Sequence, residues 1–165
     1  MLSSQTLTLF DYHYWATNLI LEQVEKISHG AFIEERTLSW KSIRGTLVHM
    51  LSAEYTWRQR CQYHNSPRPL PESDYPTLGI LNAHWSEDQS AMRTYLRSLH
   101  DDDLQAMIDY RTSAGILYST PLWQILTHVI MHGMQHRAEL AHILTELGYS
   151  PGDIDFIAYL RQRGQ

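Results

Sequence analysis

The sequence predicts an all-α protein, a four-helix bundle with a short extra C-terminal helix. Apolar residues recur at helical spacing in four long segments, Gly and Pro punctuate the chain between them, and no strand-like alternation of substance competes. At 165 residues the chain is most simply one domain, residues 1–165, able to bury roughly 70 % of its unfolded surface. Apolar content of 43 % with 19 % charged residues suits a globular fold, and no internal repeat or low-complexity tract interrupts it.

The first helix is expected from Ser4 to about Ser28. Leu7, Phe10, Tyr14, Leu21, Val24 and Ile27 recur at threes, fours and sevens, and Ser28-His29-Gly30 supplies a stop. The second opens near Ser39, a possible cap, and carries Ile43, Leu47, Met50, Glu54 and Trp57 on one stripe until NSPRPLP ends it. Pro67, Pro69, Pro71 and Pro76 mark an ordered crossover within the domain, and a third helix follows from about Thr77 to Leu99. DDDLQAMIDYRTSAGILYSTP is a connector with a central Gly and flanking β-branched and aromatic residues, equally compatible with a brief hairpin and with irregular chain. Pro121, taken as the first helical residue after Ser119 or Thr120, opens the fourth helix, which reaches about Leu147 before Gly148. SPGDIDFIAYLRQ starts the short fifth helix.

A net charge of −5 without any Lys/Arg-rich run argues against nucleic acid as a partner, since phosphate neutralisation needs a basic patch. The lone Cys61 has no internal disulfide partner, the N-terminal residues lack a secretory pattern, and no apolar run approaches 18 residues. These features predict a cytoplasmic protein with no membrane partner. Five Trp and ten Tyr suggest an aromatic core with polar tips near the surface or lining a pocket.

LTHVIMHGMQHRAELAHIL carries the chemistry. His128, His132 and His136 step by fours, so His132 lies about 40° and His136 about 80° round from His128, with roughly 6 Å of rise per step. Ile125, Glu139 and Ile143 share that face, which places the histidines among inward-looking positions. A single helical histidine is ordinarily a surface or hydrogen-bonded core residue. Three on one face favour a metal, because an i, i+4 pair can direct two nitrogens at one ion. His128 cannot easily share a compact site with both neighbours, so a further ligand should come from another helix. His49 is the best candidate: Ser42, Gly45, Thr46, Ser52, Ala53 and Thr56 on its stripe are all small. Such a stripe means either room beside His49 or close helix approach. His13 is a weaker candidate, and His29, His64, His84 and His100 are expected at helix ends or in loops, His29 and His100 at C-terminal dipoles.

These motifs resemble the DinB/YfiT-like superfamily of metal-dependent proteins, and specifically its DinB branch, which is unrelated to the DNA polymerase of that name. LFDYHYWATNLILEQV looks like the family's opening helix, SIRGTLVHMLSAEYTWRQR its second, and LTHVIMHGMQHRAELAHIL its most recognisable one. The resemblance implies an up-down-down-up bundle, a homodimer, and a divalent metal held by His49, His132 and His136, with His128 in a supporting or pocket-lining position. Where the branch commonly has Gln, this chain has Glu139, which could orient an imidazole, take a proton as a catalytic residue, or become a fourth ligand. Zinc or nickel suits three imidazoles first, with iron or manganese as alternatives.

Three histidines with an open fourth position fit a catalytic ion better than a structural one. The expectation is therefore a metal-dependent enzyme of the thiol S-transferase or hydrolase type. By resemblance, it would act on a small molecule, with a low-molecular-weight thiol as the co-substrate. The alternative is a non-catalytic, stress-associated metal-binding bundle, which predicts a closed shell of four protein ligands. A di-iron carboxylate bundle needs paired Glu-x-x-His motifs, absent from the fourth helix.

Overall fold

Helical periodicity translates directly into four long helices: α1 (Ser3–Val24), α3 (Ile43–Tyr63), α4 (Leu78–Ser98) and α5 (Leu122–Glu146). A five-residue helix, α2 (His29–Ile33), and a C-terminal helix, α6 (Phe156–Arg163), complete the helical set, and two 3₁₀ turns lie between the long elements. The computed structural model describes residues 2–112 and 114–164.

Cross-helix contacts set the directions. Asp11 pairs with Arg93, and Glu25 faces Asn82, so α1 and α4 are antiparallel. Glu54 meets Trp85 and Arg58 meets Asp88, so α3 and α4 run parallel. His49 meets His132 whereas Trp57 meets His128, so α3 and α5 are antiparallel. The result is the expected up-down-down-up bundle. Parallel neighbours cannot be joined by a tight turn. Residues 64–77, at roughly 3.3 Å each, reach about 45 Å, enough to recross a 21-residue helix of about 30 Å. The proline cluster stiffens that return.

Several local expectations are corrected. α1 ends at Val24, and Ser28 caps α2 instead of stopping α1, its Oγ accepting from Ala31 N–H. His29 therefore opens a helix and is not at a C-terminal dipole. Ser42, not Ser39, caps α3; its Oγ accepts from Gly45 N–H at 2.8 Å. Pro121 ends a strand and caps α5, leaving Leu122 as the first helical residue. The ambiguous connector does pair as a hairpin, β1 (Met107–Arg111) with β2 (Leu117–Pro121), in antiparallel register Ile108↔Thr120 and Tyr110↔Tyr118. His84 lies within α4, where the Tyr75 hydroxyl bonds its Nδ1 at 2.6 Å. Among the described residues, no helix is long and apolar enough to cross a membrane.

Two large apolar cores fill the bundle, and a small third cluster, Tyr12, Ala16 and Tyr159, joins α1 to α6. Of the two large cores, one gathers Ile20, Leu47, Leu51, Leu81 and Leu144, and the other Phe10, Tyr14, Met92, Leu96 and Leu126. Between them lies a buried polar layer: His13 and Thr17 of α1, Glu54 and Arg58 of α3, Asp88 of α4 and Arg137 of α5. Arg137 donates to His13 Nδ1 at 2.9 Å, which requires that nitrogen to accept. Nε2 must then carry the hydrogen it donates to Glu54 Oε1 at 2.8 Å. Burial is the main influence lowering the proton affinity of this neutral His13, outweighing the opposing pull of Glu54. Glu54 also accepts from Trp85 Nε1 at 3.1 Å.

The His13 ring crosses α5 at Gly133, where a methyl group would overlap the ring and come within 2.9 Å of the Arg137 guanidinium. Alanine is favoured over glycine in a helix by about 1 kcal/mol, yet Gly133→Ala is expected to lower stability by about 1–3 kcal/mol through overpacking. Urea unfolding midpoints decide between the two effects; a raised midpoint would contradict the packing argument.

Candidate metal centre

Two helices deliver the three histidines. Ser42 starts α3 so that His49 falls on its second turn, facing α5. On α5 the one-turn spacing brings the His132 and His136 rings edge to face, their centroids 4.6 Å apart. One nitrogen from each of His49, His132 and His136 lies within 4.8 Å of the other two. His49 Nε2 and His132 Nε2 are 2.8 Å apart, so one donates to the other in the absence of a cation. His136 is buried, and the other two are partly accessible.

This donor set fits a metal ion. Nitrogens bound at about 2.0–2.1 Å around a tetrahedral ion sit about 3.3–3.4 Å from one another, between the closest and widest separations the three imidazoles offer. The Glu139 carboxylate can only accept, so the 3.0 Å contact from His136 Nδ1 puts the hydrogen on that atom and leaves the Nε2 lone pair free. Ser39 donates to the other oxygen of the same carboxylate. Burial raises the proton affinity of Glu139, but hydrogen bonds from Ser39 and His136 outweigh it and hold the group below the usual glutamate range.

Burial and neighbouring charge keep His49 and His132 neutral. Burial first, then the neighbouring His136, lowers His49 to about 4 despite the opposing Glu139. Burial, followed by His136, His49 and His128, lowers His132 to about 3. Both therefore offer lone pairs at neutral pH. The unfolded chain binds protons below about 6.5, while the folded chain resists them until about 4 and 3. The sign follows: the folded state is fully favoured above pH 6.5 and loses stability as pH falls from 6.5 toward about 4 for His49 and about 3 for His132. Metal-free wild type should show its urea midpoint falling across that interval, and His132→Ala should flatten the fall. A midpoint rising with acidity would contradict the assignment.

His128 stands beside the cluster and outside it. Its ring lies 5.7 Å from His132 and edge-on to Trp57 at 5.5 Å. His13 is committed to Glu54 and Arg137. The small-residue stripe on α3 leaves room beside His49, and the close approach at Gly45 is by the loop preceding α3 and not by another long helix. Gly45 accommodates the Trp40 carbonyl, and a cleft of about 150 Å³ remains beside His49, lined by Trp40, Ser52 and Leu70 among others.

Several participants went unrecognised in the sequence. Trp40 stacks on the His49 ring at 3.9 Å and 15°. Ser39, read as a cap, instead holds Glu139. Glu54 carried a visible signal, a charge within an apolar stripe; Arg137 and Gly133 carried a similar one, being inward-facing between His132 and His136 or beside them.

The chain is similar to two known proteins along most of its length. The chain is 22 % identical over 148 residues to "Uncharacterized protein YizA" of Bacillus subtilis (strain 168), covering 90 % of this chain and 91 % of that protein. It is 20 % identical over 157 residues to "Protein DinB" of the same organism, covering 92 % and 91 %. The DinB family description matches residues 1–165. With three histidines drawn together from two helices of an up-down-down-up bundle and a family match along the entire chain, this protein belongs to the DinB family.

Proposed function

We propose that the chain binds one divalent metal ion through His49, His132 and His136 and is a metal-dependent enzyme of the thiol S-transferase or hydrolase type. The observation that carries this reading is the three-nitrogen cluster, in which no fourth histidine, cysteine or carboxylate joins among the described residues. When bound, an ion with an open position lowers the pKa of a thiol or water and polarises a substrate group. The alternative of a closed, purely structural site requires a fourth protein ligand. The groups nearest to that role are otherwise engaged: Glu139 with Ser39 and His136, His13 with Glu54 and Arg137.

Among the chain's own groups, Glu139 fixes the tautomer and ring orientation of His136, and Ser39 fixes Glu139. Of the three roles open to Glu139, orientation is the one its hydrogen bonds support, and its depressed proton affinity keeps it in the base form. Glu139→Gln removes the charge while keeping an acceptor, and is expected to weaken metal binding about 10- to 100-fold, the usual effect of losing such a partner. Competition with a chromogenic chelator measures it, and unchanged affinity would remove Glu139 from the site.

Zinc or nickel is the ion favoured by three imidazole ligands, with iron and manganese as outcomes of the same assay. Elemental analysis of natively purified protein tests the reading, followed by a screen for conjugation of low-molecular-weight thiols. Metal absent from protein that has never met a chelator, and not taken up on addition, would overturn it. A homodimer is part of the proposal, tested by sedimentation equilibrium.

A further inference from the structure

The hairpin between α4 and α5 creates a second feature beside the histidines. A cleft of about 180 Å³ opens between α3, the hairpin and the first turns of α5, lined by Trp57, Tyr110, Thr120, Gln124, Ile125 and His128. It adjoins the cluster at His128, one helical turn from His132 and 5.7 Å from it by ring centroids. Its volume is near the roughly 150 Å³ of a protein cavity that accommodates benzene.

The walls are rigidly built. Trp57 and Tyr110 stand edge to face at 4.8 Å and 78°, and the Arg60 guanidinium braces both, 4.5 Å from the Trp57 ring and 5.2 Å from the Tyr110 ring. Arg60 also donates to the Arg111 carbonyl at 3.0 Å, which ties α3 to the hairpin. Tyr110 and Thr120 hydroxyls meet across the two strands at 3.4 Å. The His128 ring neighbours those of Trp57 and His132, and among the described residues no hydrogen bond engages its ring nitrogens, which can serve a ligand. Aromatic and aliphatic walls with a few convergent polar groups are the composition of a small-molecule site.

We propose that this cleft receives a ring-sized apolar group of the substrate, a phenyl or compact branched alkyl substituent, with His128 hydrogen-bonding the polar atom that links it to the portion reaching the three histidines. The assignment of this group as substrate rests on the metal-enzyme reading, whereas the binding itself is a property of the cleft. The hairpin thereby gains a role in recognition, because it supplies Tyr110 and Thr120 to a wall that helices alone would leave open.

Benzyl alcohol, one ring with one hydroxyl, serves as probe, titrated by NMR into the full-length protein both as purified with zinc added and after metal removal. The expected result is saturable binding in both forms, with intermolecular NOEs from the probe's ring to Trp57 and Tyr110. Gln124→Trp, which fills the cleft from an exposed helix position, should weaken binding at least about tenfold, and His128→Ala about two- to tenfold for one hydrogen bond. Trp57→Ala should also weaken it and is interpreted only if its circular dichroism is native. No saturable binding, NOEs confined to other residues, or affinity within twofold of wild type in Gln124→Trp overturns the proposal. Loss of the metal-enzyme reading would appear separately, as zinc that does not bind while the probe still does.

Discussion

His49→Ala is expected to weaken divalent-metal affinity by a factor of at least about 100. Structural zinc contributes about 10–16 kcal/mol shared over four ligands, so each ligand accounts for about 3 kcal/mol, and each 1.4 kcal/mol is tenfold. His49 is the sole contribution of α3 to the three-nitrogen group, and without it the remaining pair lies on one helix, with nothing to close the site from across the bundle. His132→Ala and His136→Ala should match it. His128→Ala should change affinity by less than about threefold, because that ring stands outside the group. Elemental analysis and chelator competition on the four variants measure the contrast. Metal content unaffected by His49→Ala, or lost equally in His128→Ala, would sink the assignment. Trp40, stacked on the His49 ring, gives an optical reporter of the same titration.

Glu54→Ala is expected to destabilise the fold by about 2–5 kcal/mol, because two buried donors lose their acceptor at about 1–3 kcal/mol each. Glu54 is almost fully buried and accepts from His13 and Trp85. It also acts on the Arg137 guanidinium, which burial drives toward its neutral form while Tyr12 first, and then Glu54, favour the charged one. Alanine would leave two donors without an acceptor and remove one of the groups that favour the charged Arg137. Against a total stability of about 5–15 kcal/mol this is a large fraction. The loss should appear as a lower urea midpoint at unchanged slope. Glu54→Gln, which keeps an acceptor but no charge, should fall between the two. An Ala variant with wild-type midpoint would mean that the polar layer is a spectator.

Much of this architecture was legible because helices advertise themselves locally. The stripes on α1, α3, α4 and α5 repeat over five or more turns, long enough for the 3.6-residue period to stand out, and Gly148, with φ of +85°, ends α5 where its sequence signal lies. α2 escaped because five residues hold little more than one period. The choice of Ser42 over Ser39 escaped because the two serines are chemically equal caps. The backbone decides between them: Lys41, at φ of +64°, turns the chain just before Ser42 and frees Ser39 to reach Glu139.

The site divides along the same boundary. Spacing alone made His132 and His136 a pair and placed Glu139 beside them, since an α-helix has one geometry and neighbours at three and four residues always meet. His49 was a candidate among several until the helices packed. Its pairing depends on α3 crossing α5 in antiparallel sense at one register, which arises from the sum of apolar contacts along both helices. The polar layer belongs wholly to that packing. In the sequence Glu54 is a charge on an apolar stripe and Arg137 a charge beside a histidine; in the fold His13, seated against Gly133, bridges them, donating to Glu54 and accepting from Arg137.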